Sequence, residues 1–366
     1  MKTALRSPGA GHPAFTLIEV LTSTAILAMI IIGCMSSLGT LQRSFVQSKS
    51  KVEQFREARV AFELIARNLS QATLANYWDY YFLETRSNVP PASGSGSPSA
   101  YIRQSDLQFT AGRATDLLGS EGSKTLTPGH AVFFQAPLGL TQDGSSLGNL
   151  LNARGYAVKF IGDDENRPPF ISSDLIPVKH RYRLVEFRPP AEKVAGGSLG
   201  NTIYDKPATW YKTDLTSSMR VVADNILLMI LSPRVPEQPG STVSPWSIAP
   251  QYRYNSADPN NATDLVESLS LRSNGTAAQG TQHLLPPVVH LTLVAADETS
   301  IQRWVSKRGP QGVDILQESG AQFYEAAQYD RDVERLSRYL YEQKLNFYIF
   351  TTAVPLRNAK WDGREL

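Results

Sequence analysis

The sequence predicts an α+β protein in which a long N-terminal helix lies on an antiparallel β-sheet. Three observations predict it. No charged residue occurs from Val20 to Gln42, and apolar residues then recur at helical spacing to about Asn76. Further along, the apolar period falls to two, the mark of strands. A late amphipathic helix and an apolar strand close the chain.

The uncharged run is 23 residues long, and as a helix it would span about 35 Å at 1.5 Å per residue. That exceeds the roughly 30 Å hydrocarbon core of a bilayer. Arg43, Lys49 and Lys51 close it. Thr22, Ser23, Thr24, Ser36, Ser37 and Thr40 leave it polar enough in places to pack against other helices as well as lipid.

Beyond the run, Phe45, Val52, Phe55, Phe62, Ile65, Leu69 and Ala72 form one stripe at spacings of three, four and seven. Arg59, Glu63 and Arg67 sit at i, i+4 steps on the polar side and support the helix. The two stretches read as one helix. Residues 15–42 form its membrane half and 43–77 its amphipathic half, a scaffold packed on a globular domain, 78–366.

Ser87 to Ser99 is rich in Pro, Gly and Ser and reads as a flexible surface loop. Tyr156, Val158 and Phe160 alternate with Ala157 and Lys159, as in a half-buried strand. Val289, Leu291, Leu293 and Ala295 alternate likewise with His290 and Thr292. Ile226 to Leu231 is continuously apolar, as in a strand covered on both faces. Proline pairs beginning at 90, 168, 189 and 286 punctuate these segments. Tyr329, Val333, Leu336 and Leu340 trace one helical face, with Glu334, Arg338 and Glu342 opposite. Leu345 to Val354 follows as a strand that stops at Pro355.

Composition excludes several function classes. The chain has 366 residues, 42% of them hydrophobic and 19% charged, enough apolar content for a real core. Its net charge is +2, and without Lys2 and Arg6 the remaining 34 basic residues equal the 34 acidic ones. A neutral body without a basic block argues against nucleic acid as a partner. Cys34 is the only cysteine, so neither an intrachain disulfide nor a cysteine metal knuckle can form.

Little else in the chain points to chemistry. Two G-x-S-x-G strings, around Ser146 and Ser198, lie in Gly/Ser-rich loops without the strand–turn–helix setting that a hydrolase nucleophile needs. His283 and His290 could supply a base, but chance matches explain the strings better. Asp163, Asp164, Glu165 and Asn166 cluster oxygen ligands, yet lack the spacing, central glycine and distal glutamate of an EF-hand loop. The histidines at 12, 130, 180, 283 and 290 show no zinc-site spacing. Asn68, Asn261 and Asn274 each head an N-x-S/T triplet. No catalytic residue, metal or cofactor is expected.

The N-terminal segment is the informative part. Residues 1–14 are short, weakly basic and rich in Gly, Pro and Ala, and Phe15-Thr-Leu-Ile-Glu19 follows. A secretory signal peptide would have a shorter apolar stretch, about 7–15 residues. A plain signal anchor fits the length but leaves Glu19, a carboxylate at the membrane boundary, without a purpose. The third reading accounts for leader, phenylalanine and acid together. The segment resembles the class III signal of type IV pilins and type II secretion pseudopilins. That resemblance implies a leader peptide, 1–14, removed by a prepilin peptidase between Ala14 and Phe15, with the new Phe15 amine methylated. The family usually has glycine before the cut, where this chain has Pro13-Ala14. Glu19 would act in assembly, and the apolar helix would pack in a filament core.

The body carries further resemblances. Arg59-Val-Ala-Phe-Glu-Leu-Ile-Ala-Arg-Asn-Leu, Val222-Ala-Asp-Asn-Ile-Leu, Leu285-Pro-Pro-Val-Val and Phe350-Thr-Thr-Ala-Val-Pro-Leu-Arg-Asn are similar to landmarks of J-type minor pseudopilins and PilW-like minor pilins. The ending and the segment YRLVEFRPP also resemble Verru_Chthon cassette protein C, a prepilin-like family of unknown role. These imply a pilin-like fold and a minor structural subunit of an envelope-spanning filament or type II secretion-like apparatus. They also imply a single pass through the inner membrane, a periplasmic C-terminal domain, and other pseudopilins as partners. The alternative is a membrane-tethered enzyme or binding module on the same kind of anchor.

Overall fold

The structure, a computed structural model, describes residues 17–361 apart from 86–87, 93–95, 120–124, 142–146, 149, 164–175, 190, 192–209, 213–217, 238–243, 259–271, 274–276, 279–280 and 310. Side chains at 36, 39–54, 272–273 and 277–278 are also outside the described set. The chain divides into two units, Met1–Glu53 and Gln54–Leu366.

Helix α1 (Leu17–Ser70) begins the described chain. Within the second unit its stripe is buried. Ala58, Ala61, Phe62, Ile65 and Leu69 all join the main core, and Phe55 packs at its margin. Phe62 lies 5.7 Å from Phe350 and Phe55 5.9 Å from Tyr348, ring centre to ring centre. The polar side carries the Arg59–Glu63 pair at 3.0 Å, out in solvent. The pattern predicts helix to about Asn76, but α1 ends at Ser70. Ala72 and Leu74 stay buried in the extended segment that follows, so the apolar spacing outlasts the helix.

A ribbon of β1 (Tyr77–Tyr81) and β2 (Ala100–Gln104) comes next. Then follow β3 (Thr110–Arg113), α2 (Ala114–Leu118), β4 (His130–Pro137), β5 (Leu151–Ile161), β6 (Arg181–Phe187), β7 (Met219–Asp224), β8 (Ile226–Arg234) and β9 (Tyr254–Asn255). After the short pair β10 (Arg272–Ser273) and β11 (Ala277–Ala278) come β12 (Val288–Ala296), α3 (Glu298–Ser306), α4 (Ile315–Ser319), α5 (Tyr329–Glu342) and β13 (Phe347–Pro355). Two antiparallel sheets dominate the described residues, with orders β7-β6-β5-β4-β3-β9 and β13-β12-β8. Strand β8 lies against the larger sheet and is buried almost throughout, as its continuous apolar run predicts. One parallel bridge, Gly129 to Met229, joins the sheets. Gly129 has φ +83°, and a Cβ there would stand 2.5 Å from the Met229 carbonyl oxygen, so only glycine fits.

The expectation of half-buried strands fails at β5. Tyr156, Val158 and Phe160 face the main core, but Ala157 and Lys159 are buried too. A second cluster built on Phe133, Val185, Phe187, Trp210 and Tyr211 covers that other face. Strand β12 is likewise buried beyond its alternation: Thr292 is 2% exposed and bonds the Tyr329 hydroxyl of α5 at 2.6 Å. His290 is half-buried. Helix α5 follows the sequence closely, with Leu336 and Leu340 buried and Glu334 paired with Arg338 at 2.8 Å on the wet side.

Candidate functional site

The predicted cleavage pair, Ala14 and Phe15, lies outside the described residues, as does the leader. Glu19 stands exposed near the start of the described part of α1. From Leu17 to Met35 the helix is apolar and long enough to cross a membrane, and none of that stretch is buried. Its hydroxyls turn inward on the backbone. Thr22 donates to the Ile18 carbonyl, Ser23 to Val20 and Thr24 to Leu21, each at 3.0 Å. In hydrocarbon every polar group must find a partner within the protein, and these three do so within one turn. Cys34 is exposed on the same stretch.

The body segments singled out in the sequence fall at structural junctions. In Val222-Ala-Asp-Asn-Ile-Leu, Asn225 adopts φ +59° between β7 and β8, where the chain leaves one sheet and enters the other. Asparagine tolerates this left-handed turn better than most residues. Its amide donates to Glu298 Oε2 at 2.5 Å, and Glu298 Oε1 takes Arg181 at 2.6 Å. Arg59-to-Leu69 forms the buried end of α1. Leu285-Pro-Pro leads into β12, and Phe350-to-Asn358 ends β13. The last two meet the helix end: Leu356 N–H donates to the Pro287 carbonyl at 3.0 Å, and Arg357 N–H to the Ser70 carbonyl at 3.1 Å. Asn358 donates to the Ala72 carbonyl at 3.0 Å. The C-terminal segment thereby takes carbonyls that the end of α1 would leave without partners.

A buried polar chain was not visible in the sequence. Asn68 of α1 donates to the Tyr156 hydroxyl at 2.8 Å, and that hydroxyl donates to Glu186 Oε1 at 2.7 Å. Arg154 Nε lies 3.4 Å from the same oxygen, with both charged side chains under a tenth exposed. Burial, with Glu186 beside it, pushes the Tyr156 hydroxyl far above its ordinary pKa, so it stays a donor. Burial lowers the Arg154 pKa and Glu186 opposes that. The available signals were an asparagine beside Leu69 on an apolar stripe and an arginine alternating with Tyr156 in an apolar strand.

The remaining candidates acquire ordinary roles or fall outside the described residues. Asn68 is buried with its amide engaged, so its triplet is no glycan acceptor in the folded chain. Asn261, Asn274, Ser146, Ser198, Asp164, Glu165, Asn166 and His12 lie outside the described residues. Asp163 Oδ1 accepts the Lys179 backbone N–H at 2.9 Å. His130 is fully buried against Leu231. Among the described residues no three His, Cys, Asp or Glu side chains gather as a metal site.

Compared with known proteins, the chain matches no family model, no curated protein and no solved structure. Its own architecture is a mixed α/β chain with antiparallel sheets and an N-terminal helix apolar enough for a single membrane pass.

Proposed function

We propose that the chain is a pilin-like structural subunit of the J-type minor pseudopilin class, made as a precursor and held in the inner membrane by α1. One observation supports the reading above others. A single helix has a first half whose apolar surface is left uncovered by the described residues, and a last part buried in a domain core. A half-covered helix of this kind suits a subunit that passes from lipid into a bundle of its own kind. Assembly is then the mechanism. Extraction from the membrane exchanges lipid contacts for helix packing, while the domain, in the periplasm, selects its neighbours. The prepilin peptidase and other pseudopilin-type subunits are the partners this requires, and no side chain has a catalytic role.

N-terminal mass spectrometry of the protein from its native host tests the reading. The expected terminus is Phe15 with a methylated amine. An intact Met1, or cleavage within residues 36–45 as for a secretory signal, overturns it.

A further inference from the structure

Between the last turns of α1 and strands β5, β6 and β7 lies a groove of about 580 Å³. Four guanidinium groups line it, those of Arg67, Arg154, Arg188 and Arg220, against two carboxylates, Glu57 and Glu186. Contacts among the described residues use only part of this charge. Arg154, 2% exposed, gives Nη1 to the Ala153 carbonyl at 2.8 Å and stands with Nε 3.4 Å from Glu186 Oε1. Arg188 reaches Glu186 only at 3.9 Å. Arg67 and Arg220 are exposed and form no ion pair among the described residues. Burial raises the Glu57 pKa, with Asp224 and Glu298 adding to it.

We infer that this groove binds an acidic segment of a partner protein, its Asp or Glu carboxylates held by the open guanidinium forks. A planar guanidinium matches a carboxylate in two parallel hydrogen bonds, which an isolated surface charge cannot do. Arg67 and Arg220 present these forks at the mouth of the groove, and the buried Arg154 adds positive charge beneath them. The rim decides between a peptide and a free inorganic anion. Val60 and Leu140 stand 60% and 40% exposed at the groove, and only a ligand with apolar groups beside its carboxylates would cover them. The inference stands on the groove and not on the filament reading.

Fluorescence anisotropy on the full-length protein in a non-ionic detergent tests it, with a dye-labelled peptide Glu-Leu-Asp-Glu-Leu-Glu and its neutral counterpart Gln-Leu-Asn-Gln-Leu-Gln. The acidic peptide should bind about tenfold tighter or more. Arg67→Gln and Arg220→Gln should each weaken it roughly threefold or more without altering thermal unfolding, because both side chains are exposed. Arg59→Gln, exposed on α1 but outside the groove, should leave it unchanged. Equal affinity for the two peptides overturns the inference, as does full binding by both groove variants. Sodium sulfate displacing the peptide as well as the same concentration of unlabelled acidic peptide would also overturn it, in favour of a free-anion site.

Discussion

The Asn68 amide donates to the Tyr156 hydroxyl at 2.8 Å inside the core, a bond between residues 88 positions apart. The packing of Ile65 and Leu69 around it is apolar and without direction, so it would tolerate small shifts of α1 along the sheet. The hydrogen bond would not. With Tyr156 directing its proton toward Glu186, one axial and rotational setting of the helix satisfies all three groups. The pair therefore fixes how the last turns of α1 sit on β5.

Tyr156→Phe should destabilise the protein by about 1–3 kcal/mol, because it leaves a buried amide and a buried carboxylate each short of a partner. Denaturant unfolding measures this. Asn68→Ala should cost less when combined with Tyr156→Phe than alone, since the bond is already gone. Strictly additive costs would show that the two residues are not coupled.

Removing the helix in stages separates anchor from core. A fragment of residues 43–366 should be soluble and unfold cooperatively, since it keeps Phe62, Ile65 and Leu69 in the core. A fragment of residues 78–366 should aggregate. Each of those side chains contributes about 1.5–3 kcal/mol by burial, and their sum rivals the roughly 5–15 kcal/mol stability of a whole domain. Equal melting of the two fragments would mean the stripe does not support the domain.

His130 should make stability depend on pH. Its ring is fully buried, with Nδ1 3.1 Å from the Leu231 amide nitrogen. Burial lowers its pKa to about 4; the Leu231 backbone contact opposes this, and Arg113 adds to it. The folded pKa thus lies below the unfolded one of about 6.5. Above pH 6.5 both states are neutral and the stability is whole. As pH falls from about 6.5 toward 4 the unfolded chain binds the proton first, and roughly 3 kcal/mol is lost. Urea midpoints between neutral pH and the onset of acid unfolding should fall more steeply for the native protein than for His130→Gln. Parallel curves would exclude His130 as the cause.

What could be read from the sequence follows from the range of the forces involved. Tyr329–Glu342 appears where its stripe predicts, because a helix facing one core is written in local spacing. The apolar first part of α1 is likewise written in local sequence. The end of α1 is misread because Ala72 and Leu74 continue the apolar pattern in extended chain, and Ala75 then turns to φ +46°. Burial of β5 is underestimated because two residues covering its second face, Trp210 and Tyr211, come from beyond the next strand, β6. Alternation there records side-chain size rather than wetness: Ala157 is small beside Phe133 and Phe187, and it is buried. The Asn68–Tyr156–Glu186 chain draws on three elements, so polar residues within apolar patterns mark its members but nothing local pairs them.

Glu19 carries the sharpest test of the proposed assembly. It lies four residues beyond Phe15 in the sequence and is exposed on an apolar helix. A carboxylate held in the apolar region costs about 2.5–3.5 kcal/mol on insertion scales. Removal of the leader would create an α-amine at Phe15, and such amines are largely cationic at neutral pH. Pairing with that amine on an adjacent subunit would offset the cost of Glu19 only in the assembled state, and only when the two helices are in register. The acid would then act on assembly and not on the stability of the lone subunit. Glu19→Val should leave membrane insertion intact and processing largely so, while reducing incorporation about tenfold or more, the factor expected when an ion pair is lost from an apolar setting. Co-purification with other prepilin-type subunits, at matched membrane amounts, measures it. A snorkelling surface acid would give no defect, so recovery of partners at native levels would refute this role for Glu19.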